Sequence, residues 1–369
     1  MVAHVRFTLF PLIMALPVML LVQPVQAQQQ SLVAKLSFVS STSNNEYQIQ
    51  TVDFNGHVST LLDLSDVYSL PVLSPDGKQI VYLSADNIDT ATIVNIASHQ
   101  KRQSASLGSC PSYSPPTYQF SWSPDGKYIA AYGGKICSPT TAEVYMEDKS
   151  EFWDLTVIVP ADGSSGENTI AASAFAWSPD GQHIAYTESL PYHFVQIVEA
   201  SVADAGYKQA RVLVKFPITY FHISYMSWSP DGKRLLFLGF LPPPLYGSAP
   251  SPITQLYVMN LEVPNPTLMV YSMDGLPQWS PDSKQIAFDY NVIKLDGDYL
   301  GHPISHDIRH LLDMPMRDLV WSPDSKQIAF VANPDKEDDI YLIHLDGSGL
   351  HRLTQSSHYV SGLNWFSDK

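Results

Sequence analysis

The chain has 369 residues, with 36 acidic side chains against 21 Lys and Arg and a formal net charge of -15. That balance, with no basic stripe along the sequence, argues against nucleic acid or an anionic membrane as a partner. Apolar residues make up 45% and charged residues 15%, which excludes a structureless chain and leaves enough material for a substantial core.

At the N-terminus, Arg6 is followed by a largely apolar run from Phe7 to Val22, interrupted by Pro11 and Pro17, and then by Val25-Gln26-Ala27. A charged start, a short apolar stretch and small residues before a cleavage point read as a secretory signal peptide over residues 1–27. The run is short for a bilayer and broken by prolines, so no stable membrane span is expected once it is removed. Residues 28–34 read as a short leading segment and 35–369 as one domain, placed in the periplasm or the extracellular medium.

Residues 35–40, 46–52 and 58–63 alternate apolar and polar side chains, and Asp53-Phe54-Asn55-Gly56 supplies a hairpin turn between the last two. They read as the second, third and fourth strands of a unit whose first strand is missing. Leu73-Ser74-Pro75-Asp76-Gly77 then opens a phrase that returns as Trp122 to Gly126, Trp177 to Gly181, Trp228 to Gly232, Trp279 to Ser283 and Trp321 to Ser325. Its serines recur roughly every 42 to 55 residues, the period of a four-stranded blade with unequal loops. Within each phrase a strand ends at Trp-Ser, Pro fixes φ, Asp bonds to nearby backbone, and Gly accepts positive φ before the next strand. Ser283 and Ser325 stand where Gly is expected, which predicts backbone strain or a changed turn. Further turns at Asp162-Gly163 and Asp346-Gly347 close a second hairpin in their units, and residues 210–214, 268–271 and 350–353 supply fourth strands. The stretch between Trp279 and Asp318 shows no clear third strand.

At the C-terminus, Leu363-Asn364-Trp365-Phe366-Ser367 is a first strand with no successors. Joined to residues 35–63 it makes one composite blade, giving an all-β, closed seven-bladed β-propeller whose C-terminal strand completes the first blade. A six-bladed ring with terminal decoration is the alternative. Trp122, Trp177, Trp228, Trp279, Trp321 and Trp365 share one repeat position, where filling the space between blades outweighs ligand stacking. Asp76, Asp125, Asp180, Asp231, Asp282 and Asp324 likewise read as turn formers. Cys110 and Cys137 flank strands of one blade, and an exported context permits a disulfide between them.

The repeated Trp-Ser-Pro-Asp-Gly-Lys phrase and Ile340-Tyr341-Leu342-Ile343-His344-Leu345-Asp346-Gly347 resemble the TolB-type, or PD40-like, propeller repeat, and they cover essentially all of the chain after the leader. The resemblance implies a WD40-like ring that binds partner proteins, as periplasmic TolB does, or one of the propellers that precede prolyl-oligopeptidase-type peptidase domains. TolB carries a further α/β domain and usually six blades. The peptidases need a Gly-x-Ser-x-Gly nucleophile elbow that this sequence lacks.

In such a ring both kinds of tight turn lie on one face, and the connections between second and third strands and between blades lie on the other. Length concentrates on that second face, in residues 111–119, 133–152, 187–192, 215–225 and 239–252. These loops and their borders carry Tyr113, Tyr118, Trp153, Tyr192, His193, Tyr220, His222, Tyr225 and Tyr246, a mixture suited to apolar contact with hydrogen bonding at the rim. Catalytic and metal signals are weak. His302, His306 and His310 would share a face only on a helix, which Gly301 and Pro303 oppose, and Ser305-His306-Asp307 are chain neighbours that do not converge on one reacting atom. Asp335, Glu337, Asp338 and Asp339 lack the turn glycine and ligand spacing of a calcium loop and read as a solvated charge cluster. No cofactor and no metal is expected.

The leading reading is an exported, noncatalytic propeller that mediates protein or peptide binding through its long-loop face, with glycan as a second ligand class. Two alternatives are a polysaccharide lyase or hydrolase using a propeller-face cleft, and a structural component of an envelope assembly.

Overall fold

The structure is a computed structural model that describes residues 34–41, 46–107, 119–135, 154–164, 166, 168–190, 194–203, 209–216, 222–241, 253–271, 276–288, 291–295, 317–333, 337–355 and 359–367. Residues 1–27, read above as a signal peptide, Cys110, Cys137 and the three spaced histidines lie outside them. Among the described residues there is no helix, and seven antiparallel sheets form a seven-bladed propeller.

Blade one is composite. Its strands Ala34–Ser41, Tyr47–Val52 and Val58–Leu64 are completed by Tyr359–Ser367, which pairs antiparallel with the first of them from Ala34↔Ser367 to Ser41↔Tyr359. Blade two comprises Val72–Leu73, Gln79–Ser84, Asn87–Asn95 and Lys101–Ser106; blade three, Gln119–Trp122, Tyr128–Lys135, Asp154–Pro160 and Asn168–Ala171. Blade four comprises Phe175–Trp177, His183–Leu190, Phe194–Ser201 and Arg211–Lys215; blade five, His222–Trp228, Arg234–Leu241, Ile253–Asn260 and Thr267–Tyr271. Blade seven comprises Arg317–Trp321, Gln327–Ala332, Asp339–His344 and His351–Arg352. Blade six shows three strands among the described residues, Gln278–Trp279, Gln285–Phe288 and Asn291–Lys294. The third strand that the sequence does not show is therefore present and short. It follows its neighbour so closely that no turn signature separates them.

The first strands of neighbouring blades lie against one another around the ring axis, and the second strands carry the core. Their apolar runs are continuous rather than alternating because both faces are covered. In blade five, Leu235 and Phe237 face blade four while Leu236 and Leu238 face blade six. In blade seven, Ile328 and Phe330 face blade six, and Ala329 and Val331 face the composite blade. Seven apolar clusters result, each straddling two neighbouring blades. A fully buried side chain of this size contributes about 1.5–3 kcal/mol, so every blade depends on two neighbours.

The repeated tryptophans each pack against the preceding blade, as the repeat position predicts. Three do so with a regular hydrogen bond. The Nε1–H groups of Trp122, Trp279 and Trp321 donate to the carbonyls of Val72, Ser227 and Gln278, one residue before the equivalent position of the previous blade. Trp365 is half-buried, with Phe54 of the blade-one turn 5.8 Å from its ring.

All six Ser-Pro-Asp turns are built alike. The serine hydroxyl donates to the aspartate, at 2.7 Å for Ser74 and Asp76, and accepts the backbone N–H five residues on, at 2.9 Å from Gln79. The aspartate in turn accepts a backbone N–H two residues on, at 3.0 Å from Lys78. Asp180 and Asp324 are held below the ordinary 3.8, first by the Ser178 and Ser322 hydroxyls, as structural carboxylates should be. Ser283 and Ser325 do adopt left-handed backbone, with φ of 60° and 59°. Their hydroxyls compensate by accepting the N–H groups of Asp231 at 2.9 Å and Asp282 at 3.1 Å from the neighbouring blades' turns. Strain in one turn thus carries a bond to the next.

The closing strand begins at Tyr359, earlier than the sequence indicates, because Gly362 at φ 64° carries it across a register shift opposite residues 37–39. Deleting residues 362–369 removes the partners of Ala34, Lys35, Leu36 and Ser37. The truncated chain is expected to unfold at lower denaturant, to exchange amide hydrogens faster over residues 34–64, and to associate through the exposed edge. Unchanged exchange there would remove the composite blade from the account.

A second expectation concerns the serine turns. Ser283→Ala keeps the unfavourable φ and loses the bond from Asp231, costing about 1 kcal/mol. Ser283→Gly loses the same bond but relieves the backbone, so its urea midpoint should lie closer to wild type than that of the alanine variant.

Candidate functional site

The two faces of the ring differ in how their backbone is used. On the turn face, short hairpins bond to themselves and to their neighbours, and Arg234 Nη2 also donates to the Ser283 carbonyl at 2.8 Å. An open depression of about 530 Å³ sits at the outer side of blade four on this face, lined by His183, Glu199, Gln209 and Arg211, with Arg211 Nε 3.0 Å from Glu199 Oε2. At the opposite face the described strands end where the long connections of the sequence begin.

Of the loop aromatics singled out in the sequence, Tyr113, Tyr118, Trp153, Tyr192, His193, Tyr220 and Tyr246 lie outside the described residues. His222 is exposed at the start of blade five's first strand, with its ring 6.0 Å from Phe240. Tyr225 differs from the loop position expected of it. It belongs to the same strand, where a bulge between Ile223 and Tyr225 turns it toward the cluster shared by blades five and six. Burial there pushes its hydroxyl up to about 12, against hydrogen bonds with Ser227 and Gln278 that pull it down. Tyr225 is thus mainly a packing residue.

The acidic run also differs from expectation. Asp335 lies outside the described residues and Glu337 is exposed, but Asp338 and Asp339 are buried and paired rather than solvated. Asp339 accepts from Thr354 Oγ1 at 3.0 Å and pairs with Arg352. Asp338 pairs with Arg317 and accepts the Val360 N–H at 3.0 Å, tying blade seven to the closing strand. Two carboxylates inside an apolar ring persist because each has a guanidinium and further donors.

Around the ring axis on the long-loop face, the structure brings together residues that sequence reading passed over. Arg317 stands over the Tyr359 ring, 4.6 Å from its centroid. Asp318, beside it on blade seven's first strand, has left-handed backbone at φ 51° and accepts the Gly362 N–H at 3.1 Å. It opens to solvent at the rim, yet surrounding protein strips enough water to raise its carboxyl above the ordinary 3.8. Gly362 and Arg317 oppose that rise, and Asp338 adds to it. Two blades on from blade seven, the segment before Val72 is fixed by Asp66. This carboxylate accepts from Tyr82 Oη at 2.9 Å, Ser84 Oγ at 3.1 Å and Lys101 Nζ at 2.9 Å. Tyr68 N–H and Ser69 Oγ bond to the backbone of Leu83 at 2.7 and 2.8 Å. Tyr68 and Leu70 therefore point outward from a held backbone. The only sequence signal for this rim was an apolar residue just ahead of a first strand, as in Leu70-Pro71 and Leu276-Pro277. Among the described residues no group of three ligating side chains is placed to hold a metal ion.

No family model matches the chain, and no curated protein matches it. Solved structures do. An oligogalacturonate lyase in complex with manganese aligns with a TM-score of 0.55 at 14% identity, over 81% of this chain and 82% of that one. A puromycin-hydrolyzing peptidase of Mycobacterium tuberculosis aligns with a TM-score of 0.53 at 15% identity, over 88% of this chain and 54% of that one. These two likenesses establish the β-propeller fold, and the chain's repeated phrase resembles the TolB-type repeat. TolB from Acinetobacter baumannii itself aligns at a TM-score of 0.47 and 14% identity, over 90% of this chain. The propeller spans 66% of that TolB chain and about half of the peptidase. At such identities the likeness establishes fold alone.

Asp318 yields a pH test. Its folded value is raised, so its contribution to stability is fully present below 3.8 and is lost as pH rises through the raised value. Asp318→Asn should therefore be more stable than wild type at pH 7, with the difference shrinking toward pH 4. Urea midpoints measured at both pH values check this, and a constant offset would contradict the desolvated carboxylate.

Proposed function

We propose that this chain is an exported, noncatalytic binding propeller whose long-loop face engages a protein or peptide. The supporting observation is the asymmetry of the two faces. The turn face spends its backbone and hydroxyl groups on bonds between blades, while the opposite face, where the described strands end at the long connections of the sequence, has an exposed rim at Tyr68, Leu70, His222 and Tyr359. Rigid strands beneath variable loops are the usual arrangement for recognition. The signal-like leader supports export, and an oxidised Cys110–Cys137 pair belongs to the same reading.

Polysaccharide lyase or hydrolase chemistry is the second reading, and Asp318 favours it: a rim carboxyl held above its ordinary range, beside Arg317 and Tyr359, has the character of a proton-transfer group. Incubation with soluble polyuronide and with neutral polysaccharide, followed by assay for new chain ends, separates the two. Turnover by wild type that is lost in Asp318→Asn would replace the binding reading.

The binding reading is tested with a partner recovered on the full chain. Combined Trp153→Ala, Tyr220→Ala and His222→Ala should weaken its affinity at least tenfold, corresponding to about 1.4 kcal/mol or more. Lys78→Ala with Lys284→Ala on the turn face should leave it unchanged. Equal affinity for the triple variant would move the site elsewhere.

A further inference from the structure

The described residues expose eight large apolar or aromatic side chains, and four of them stand at or just ahead of the first strands of blades six, one and two. Leu276 is 57% exposed ahead of blade six's first strand, Tyr359 is 47% exposed at the start of blade one's, and Tyr68 and Leu70 are 42% and 47% exposed ahead of blade two's. Blade seven, between Leu276 and Tyr359 in ring order, contributes Arg317 and Asp318. The other four exposed side chains are scattered: Phe54 and Val263 at turns, Val58 and Val212 on outer strands. An arc of exposed apolar side chains therefore spans blades six, one and two on the long-loop face, and blade seven sets a carboxylate between blades six and one.

The arc is built on fixed backbone. Asp66 and Ser69 pin the segment that carries Tyr68 and Leu70, and Asp338 holds the Val360 N–H next to Tyr359. Fixed anchors of this kind lose little entropy on binding. The charges within the arc are unequal. Arg317 is committed to buried Asp338 and to the Tyr359 ring. Among the described residues Asp318 accepts one hydrogen bond, from Gly362, and no cation forms an ion pair with it. Its backbone lies in the left-handed region, a cost that native structures concentrate at functional positions.

We infer that this arc docks a protein segment presenting one basic side chain, Lys or Arg, among apolar residues: the cation pairs with Asp318, and the flanking apolar side chains lie on Tyr359, Leu70, Tyr68 and Leu276. The charge complementarity is local, and it is also global, since the chain carries a net charge of -15. This rests on the binding reading above and narrows it to a partner chemistry and a position around the ring.

The test uses pools of synthetic nine-residue peptides, randomised over Leu, Phe, Tyr, Ser and Gly, with the central residue fixed as Arg, Lys, norleucine or Glu. Fluorescence anisotropy against the full chain reads affinity. The Arg and Lys pools should bind at least tenfold more tightly than the norleucine and Glu pools. Asp318→Asn should abolish that preference, and added salt should reduce it in wild type. Leu70→Ser and Tyr359→Ala should weaken every pool without altering the rank order. Equal binding of Arg and norleucine pools, or an undiminished preference in Asp318→Asn, overturns the cation pairing. If in that case Leu70→Ser still weakens binding, the broader reading of the face survives. A chain that retains none of the pools refutes the docking arc, while the recovered-partner measurement decides the broader reading separately.

Discussion

Burial of the second strands on both faces is the constraint from which the rest of this ring follows. A strand such as Arg234–Leu241 presents alternate side chains to two different blades, so a blade with one neighbour leaves half of its apolar surface in water. Seven blades satisfy the condition only if the last one meets the first, and the cluster joining Ala329, Val331 and Ile340 to Leu36, Phe38 and Val360 is that meeting. The polar groups at this seam follow the same logic. Asp338, Asp339, Arg317 and Arg352 are tolerable inside it because they answer one another.

Division of labour between the faces comes from the turns. A Ser-Pro-Asp hairpin consumes its own donors and acceptors, and the Ser283 and Ser325 variants extend this to the adjacent blade. Little backbone on that side remains for a partner. Among the described residues the other face shows no equivalent lattice of turns, and the rigid points described there are specific, such as Asp66 under Tyr68 and Leu70 and Asp338 under Tyr359.

Features fixed by chain-local chemistry were legible from sequence. The turn phrase and the tryptophan position rest on residues within a few positions of one another, the composite first blade follows from counting strands along the repeat, and the structure places all three as expected. Features decided by distant neighbours were not. Asp338 looks like any charged loop residue until Arg317 and Val360, brought from elsewhere in the chain, surround it. Tyr225 reads as a loop aromatic until a bulge directs it into the space between two blades. The rim at Tyr68, Leu70, Leu276 and Tyr359 has no shared motif, because what unites these residues is their height on the ring and not their place in a repeat. Most of the aromatic loop residues named from sequence remain candidates on the strength of composition and position alone.

Pairing Ala34–Ser41 with Tyr359–Ser367 also sets an order in time. The strand made early on the ribosome has its inner partner among the residues made more than 300 positions later, so blades two to seven can assemble while the seam stays open. Until the final strand arrives, the growing ring has two unguarded edges and one apolar interface exposed. A chain crossing a membrane N-terminus first would meet this hazard on the far side, where any chaperone acting on it would have to shield blade one until the end of the chain arrives.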